Sequence, residues 1–228
     1  MNTQTPSRYF RSGDLARVAC SSCEGCGECC RGMGDTIVTD PYDIYQLHAG
    51  LGLTFADLLN SGRIGLHNEN GLTLPHLAMR DESGACSFLG DDGRCTIHAL
   101  RPGICRLFPL ARDYSDGSVR YFILPDACPR PGQTKVRISR WLGIPDLDSY
   151  EQFKLEWHGF LRDLGELAAS SADRDTLTKL NYVLLEYFYL KPFDGDDFYL
   201  LAHRRMTRIR RSIGISFGAT QKEPGERI

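Results

Sequence analysis

Residues 23–30 read CEGCGECC, four cysteines in eight positions with the last two adjacent. The CxxCxxC spacing of Cys23, Cys26 and Cys29 lets three thiolates converge on one centre, because each two-residue spacer closes a tight turn whose backbone amides point at the sulfurs. Gly25 and Gly27 supply the positive-φ conformations that such a loop needs. The run is close to the CxxCxxCxxxCP spacing of bacterial ferredoxin loops. A tight loop of exposed polar backbone is costly unless it binds something, so metal ligation is favoured here over inert buried thiols. Cys30 departs from the ferredoxin pattern. Adjacent side chains project in different directions, so Cys29 and Cys30 serve two metal centres, or one of them is a bystander.

The other cysteines stand at 86, 95, 105 and 128, the last followed by Pro129, with Cys20 as the candidate non-ligand. Four clustered and four dispersed thiols suffice for two four-thiolate sites or for one polynuclear assembly. The amino terminus has no apolar leader, and no window approaches the roughly 18 apolar residues of a membrane span. A cytoplasmic location is therefore expected, where thiols stay reduced and an odd cysteine count fits metal ligation better than disulfides. The formal net charge of -2 argues against nucleic acid or an anionic membrane as partner. A protein or small-molecule partner stays open.

All nine cysteines precede residue 129, and the chain changes character there. In TIVTDPYDIYQLHAGLG a short strand is expected to run into a helix, with Asp40 as cap, Pro41 at the first helical position and Ile44, Leu47 and Leu51 on one face. Thr54 and Asp57 open a second short helix. Residues 72–79 and 87–89 read as short strands, and residues 105–128 as a hairpin turning at Ser115-Asp116-Gly117-Ser118. From Asp148 the period becomes helical. Phe153, Trp157, Phe160, Leu161 and Leu164 share one face, as do Leu177, Leu180, Val183, Leu184 and Tyr187; a third helix runs to Gly214. The expected fold is α+β and mostly helical: a small irregular cysteine-rich metal-binding region with short strands (1–135), packed against a C-terminal helical bundle (136–214), with a flexible tail (215–228).

Arg101 and Arg106 flank Cys105. They could offset clustered thiolate charge or bind an anionic cofactor or substrate beside the metal, or pair with Asp91 or Asp92. Of six scattered histidines, only His98, three residues after Cys95, is a candidate extra ligand. The basic run containing Arg204, Arg205, Arg208 and Arg211 reads first as a solvated helix face. No Walker loop, dinucleotide fingerprint, HExxH or serine elbow is present, and the CxxxC of radical clusters is missing.

The head CEGCGECC, then TIVTDPYDIYQL, GACSFLGDDGRCTIHALRPGICRLFPL and DACP, together resemble the CxxCxxCC cysteine-cluster family of zinc- or iron-chelating domains, over about residues 20–130. A related branch includes the flagellin lysine N-methylase. The resemblance implies ligands at Cys23, Cys26, Cys29, Cys30, Cys86, Cys95, Cys105 and Cys128. Relatives have a tyrosine where this chain has His98. Thiolate donors suit both metals, but three cysteines in one run favour an iron-sulfur cluster or iron over zinc. The expected function is metal binding, in an electron carrier or oxidoreductase. The alternatives are a structural zinc module for protein interaction and a lysine-methylase-like enzyme. Whether the chain is an enzyme stays open, since fully thiolate-ligated sites are usually closed.

Overall fold

The first helix begins at Asp40-Pro41, where the sequence places both a cap and a residue that needs no amide partner. In the computed structural model, which describes residues 6, 8–19, 26–128, 134–171, 173–194 and 197–213, α1 spans Pro41–Leu51. Asp40 accepts from the amide of Asp43, and Asp43 accepts from that of Asp40. A second reciprocal cap, Thr54 with Asp57, opens α2 (Phe55–Asn60). The expected strand before α1 reduces to a single bridge, Val38 to His76.

Three two-stranded antiparallel sheets supply the β content among the described residues. β1 (Leu15–Ala19) pairs with β6 (Thr134–Arg137). β2 (Ile64–Glu69) pairs with β3 (Leu72–Leu77), with Glu69 opposite Leu72 across an Asn70-Gly71 turn, both residues at positive φ. β4 (Leu110–Asp113) pairs with β5 (Arg120–Ile123) around the Ser115–Ser118 turn, as expected. The strand expected at 87–89 is instead a turn, tied to its surroundings by the bridge of Leu89 to Cys95. There the chain spends its backbone groups on loops, with Leu89 N donating to Cys86 O and Thr96 N to Phe88 O.

The remaining helices are α3 (Gly103–Leu107), α4 (Ile138–Leu142), α5 (Leu147–Ser170), α6 (Arg174–Leu185) and α7 (Phe198–Ser212). α5 buries Tyr150, Phe153, Trp157, Phe160 and Leu164, close to the expected stripe, while Leu161 is only partly buried. A π-turn at Glu186–Leu190 ends α6 and buries Phe188 and Tyr189. Arg204, Arg208 and Arg211 are exposed, as a solvated face requires. Arg205 is not: it is buried and donates to the carbonyls of Tyr187, Lys191 and Pro192. It thereby satisfies acceptors that the end of the π-turn leaves open. Gly214 and the tail lie outside the described residues.

Two hydrophobic cores result, and each draws on both the cysteine-bearing part and the helices. The larger joins Ile44, Leu47, Leu72, Phe88 and Ile97 to Trp157, Phe160, Leu184 and Met206; the smaller joins Leu107, Leu110 and Tyr121 to Ile138, Leu142 and Tyr150. α3, which carries Cys105, is wedged between them. A Cβ on Gly103 would lie 1.9 Å from the hydroxyl of fully buried Tyr150. Gly103→Ala therefore forces α3 off the core, and we expect a loss of about 1–3 kcal/mol in urea denaturation.

Candidate metal centre

Four loops carry the described cysteines other than Cys128 toward one another. The first carries Cys26 into a 3₁₀ turn over Glu28–Cys30, entered through Gly27 at φ 63. A Cβ on Gly27 would stand 3.4 Å from the carbonyl of Gly93 and 3.5 Å from Leu89, so this turn lies against the loop between Cys86 and Cys95. The second loop joins the first through the backbone: Cys86 N donates to Cys30 O (2.7 Å), and Gly32 N to Gly84 O (2.8 Å). The third is the Asp91–Arg94 turn, where Asp92 accepts from Arg94 N (3.0 Å) and directs the chain into Cys95. The fourth is α3 itself.

The electrostatics of these thiols show what the convergence costs. Burial is the main cause raising the pKa of Cys86, Cys95 and Cys105, and each of the three is raised further by other cysteines of the group. Cys29 is the exception. The thiol of Cys30 bonds to it, and with Arg101 nearby its pKa falls to about 6, while that of Cys30 is driven far up. Without a cation the group can hold one thiolate comfortably, and protons on the remaining sulfurs prevent their mutual repulsion. Cys29 is exposed and Cys86 buried, so the group runs from solvent into the core.

The sequence-predicted residues therefore fall into three sets. Cys29, Cys30, Cys86, Cys95 and Cys105 act on one another electrostatically. Cys26 is half-buried in the turn just before them, and half-buried Cys128 stands past the end of β5. Cys20 and Cys23 lie outside the described residues. Among the described residues, no three His, Cys, Asp or Glu side chains already stand in ligating arrangement. The donor chemistry nonetheless fits zinc or iron: soft thiols on separate loops, their ionisation opposed by one another and relieved by a cation.

The two arginines have different roles. Arg106 is spent on backbone: its Nε donates to Arg101 O (3.0 Å), Nη1 to Leu142 O and Gly143 O (both 3.3 Å), and Nη2 to Ala99 O. It staples the loop before Cys105 to the end of α4. Arg101 is the cation that favours thiolate at both Cys29 and Cys95. Its Nη1 donates to His98 Nε2 (2.7 Å), and because a guanidinium cannot accept, His98 must be neutral with its proton on Nδ1. The Nε2 lone pair of His98 is thus committed to Arg101. Asp92 caps its own turn, and no ion pair joins Asp91 or Asp92 to either arginine among the described residues.

Sequence reasoning missed Arg80, which donates to Leu89 O (2.5 Å) and favours thiolate at Cys86. It also missed Asp43. This buried carboxylate accepts from Gly103 N (2.8 Å) and Asp40 N (3.0 Å), tying α1 to the helix that carries Cys105. Burial and the neighbouring Asp40 push its pKa up to about 7, against the opposing pull of Lys154 and the two amides. The DPYD string signals a capping box, but nothing local announces the bond to Gly103.

The model of the CxxCxxCC family, described as "Putative zinc- or iron-chelating domain", matches residues 22–129. Over those residues the chain is similar to the CxxCxxCC zinc- or iron-chelating domain. Comparison with curated proteins and with solved structures gave no match. The matched span takes in the four cysteine loops, both flanking arginines and α1, and ends just after Cys128. It leaves α5, α6 and α7 outside.

Two outcomes follow from this geometry. Loss of a charge that supports ligands without touching the metal typically costs 10–100-fold in affinity, so Arg101→Gln should weaken zinc or iron binding by about that factor in chelator competition, with His98→Ala smaller in the same direction. Asp43 is held at a pKa above its ordinary 3.8, so the folded state keeps a proton that the unfolded chain has lost. Stability should therefore fall as pH rises from about 4 to about 7 and then level off. Urea titrations of wild type against Asp43→Asn should differ in that window by about 1–3 kcal/mol across the pH range, the variant being flat.

Proposed function

We propose that this CxxCxxCC protein holds iron, as an iron-sulfur cluster or polynuclear iron site, and passes electrons through it. Cys29, Cys30, Cys86, Cys95 and Cys105 would be its ligands, joined by Cys23 and Cys26 from the head of the same loop and by Cys128. Arg101 would serve as counter-cation to the loaded cluster, while Arg106 holds the loop that positions it.

The observation that carries this reading is a group of five thiols from four loops in which Cys29, Cys86 and Cys95 make their neighbours harder to ionise, and Cys29 alone is eased toward thiolate. So expensive a group is hard to account for as packing, and a cation resolves it. The preference for iron over zinc rests on two features. Gly27, between Cys26 and Cys29, makes a positive-φ turn of the kind cluster loops use. Cys29 also lies exposed at one edge of the group, where electrons could cross to a partner; a structural zinc site has no need of that edge.

Anaerobic purification followed by assay for iron, zinc and acid-labile sulfide tests the proposal. Iron and sulfide in stoichiometric amounts, with visible absorbance that bleaches on reduction, are expected. Stoichiometric zinc without sulfide would overturn it in favour of a structural zinc module, recognisable by a colourless protein that loses its cooperative unfolding when the metal is chelated.

A further inference from the structure

A small pocket opens beside the thiol group, lined by Tyr42, Asp43, Gln46, Arg101, Arg106 and Ile144, with Gly103, Pro145 and Tyr150 completing its wall. We propose that it binds a small organic carboxylate.

The strongest observation is the Nε of Arg101. It is buried and has no hydrogen-bond partner, although the Nη1 of the same guanidinium is fixed by His98. A buried, unpartnered guanidinium donor is costly and calls for an acceptor. The neighbouring groups favour an anionic one. Arg106 adds a second positive charge, itself immobilised by backbone carbonyls. Gln46 adds an amide and Tyr42 a hydroxyl. The one acid in the lining, Asp43, has its two oxygens already engaged by the amides of Asp40 and Gly103. A pKa near 7 also leaves it only partly charged at neutral pH.

Size and wall chemistry narrow the class. The enclosed part of the cavity is about 20 Å³, room for the oxygens of a carboxylate, with the rest of the ligand at its open side. That admits a carboxylate end and excludes a nucleotide or a phosphate ester seated whole. Planar guanidinium donors suit the planar carboxylate fork. The Ile144 and Pro145 wall gives a methyl or methylene an apolar contact that an inorganic anion cannot use. The pocket shares Arg101 with the proposed metal centre but contains none of its thiols, so its occupancy stands or falls apart from the identity of the metal.

Calorimetric titration of the purified full chain with sodium acetate, against sodium chloride at matched ionic strength, tests the assignment, with metal assayed on the same samples. Saturable binding at millimolar acetate is expected, weakened by about tenfold or more in both Arg101→Gln and Gln46→Glu. Gln46→Glu keeps the side-chain shape while placing a negative charge in the pocket. Absence of saturable binding, affinity unchanged in both variants, or equal displacement by chloride would each overturn the proposal. A wild-type sample that binds acetate but carries neither iron nor zinc would instead count against the metal reading alone.

Discussion

The N-terminus of α1 is the joint on which the rest of the molecule depends. Within five residues, Thr39 accepts from the hydroxyl of Tyr189 (3.2 Å), Asp40 pairs with Lys154 (2.6 Å), and Asp43 accepts from the amide of Gly103. These bonds reach the π-turn, α5 and α3. Thr39, Asp40 and Asp43 are all nearly inaccessible to solvent. A buried ion pair of this kind contributes little net stability against a well-packed apolar alternative, but leaving either member alone is severe. Its effect is to specify: only one docking of α5 on α1 satisfies Lys154, and only one placement of α3 satisfies Asp43. The cysteine on α3 inherits that definition.

Much of this could be read from sequence where the signal is local. Asp40-Pro41 and Thr54-xx-Asp57 announce helix starts through bonds made within one turn. The stripe from Phe153 to Leu164 shows the buried face of α5, because helical period and burial coincide. The Asn-Gly dipeptide at 70–71 marks the β2–β3 hairpin just as plainly, and only β3 was expected there. The pairing of β1 with β6 has no such local mark. Its strands are four or five residues long and lie more than a hundred positions apart, so only the finished fold selects them. Arg205 shows the converse: a basic run reads as solvated, yet one of its members is drawn inward by carbonyls that the π-turn leaves unpaired.

At the site, residue types were legible and their division of labour was not. Spacing named Arg101 and Arg106 together because both adjoin Cys105. What separates them is tertiary: Arg106 meets the carbonyls at the end of α4 and becomes part of the scaffold, whereas Arg101 meets His98 and keeps its charge beside Cys29 and Cys95. Substituting histidine at 98 matters for this reason. A neutral imidazole with a free Nε2 lone pair can accept from a guanidinium and hold it in place.

The adjacent pair Cys29–Cys30 ties these strands of argument together. Neighbouring residues cannot aim both side chains at one small ion without strain, but they can share a proton, and the structure has Cys30 bonded to Cys29 in that way. The outer sulfur is then poised as thiolate near neutral pH, with Arg101 beside it, while the inner sulfurs toward Cys86 stay protonated in less polar surroundings. If the group holds metal as proposed, a cation arriving from solvent would meet the Cys29 thiolate first. On that reading each further thiol would give up its proton against burial and against its neighbours, a cost that the bound cation offsets. The order of ligation from Cys29 inward would then follow the gradient of burial across the group, and the adjacency of the two cysteines is what puts a ready thiolate at its outer edge.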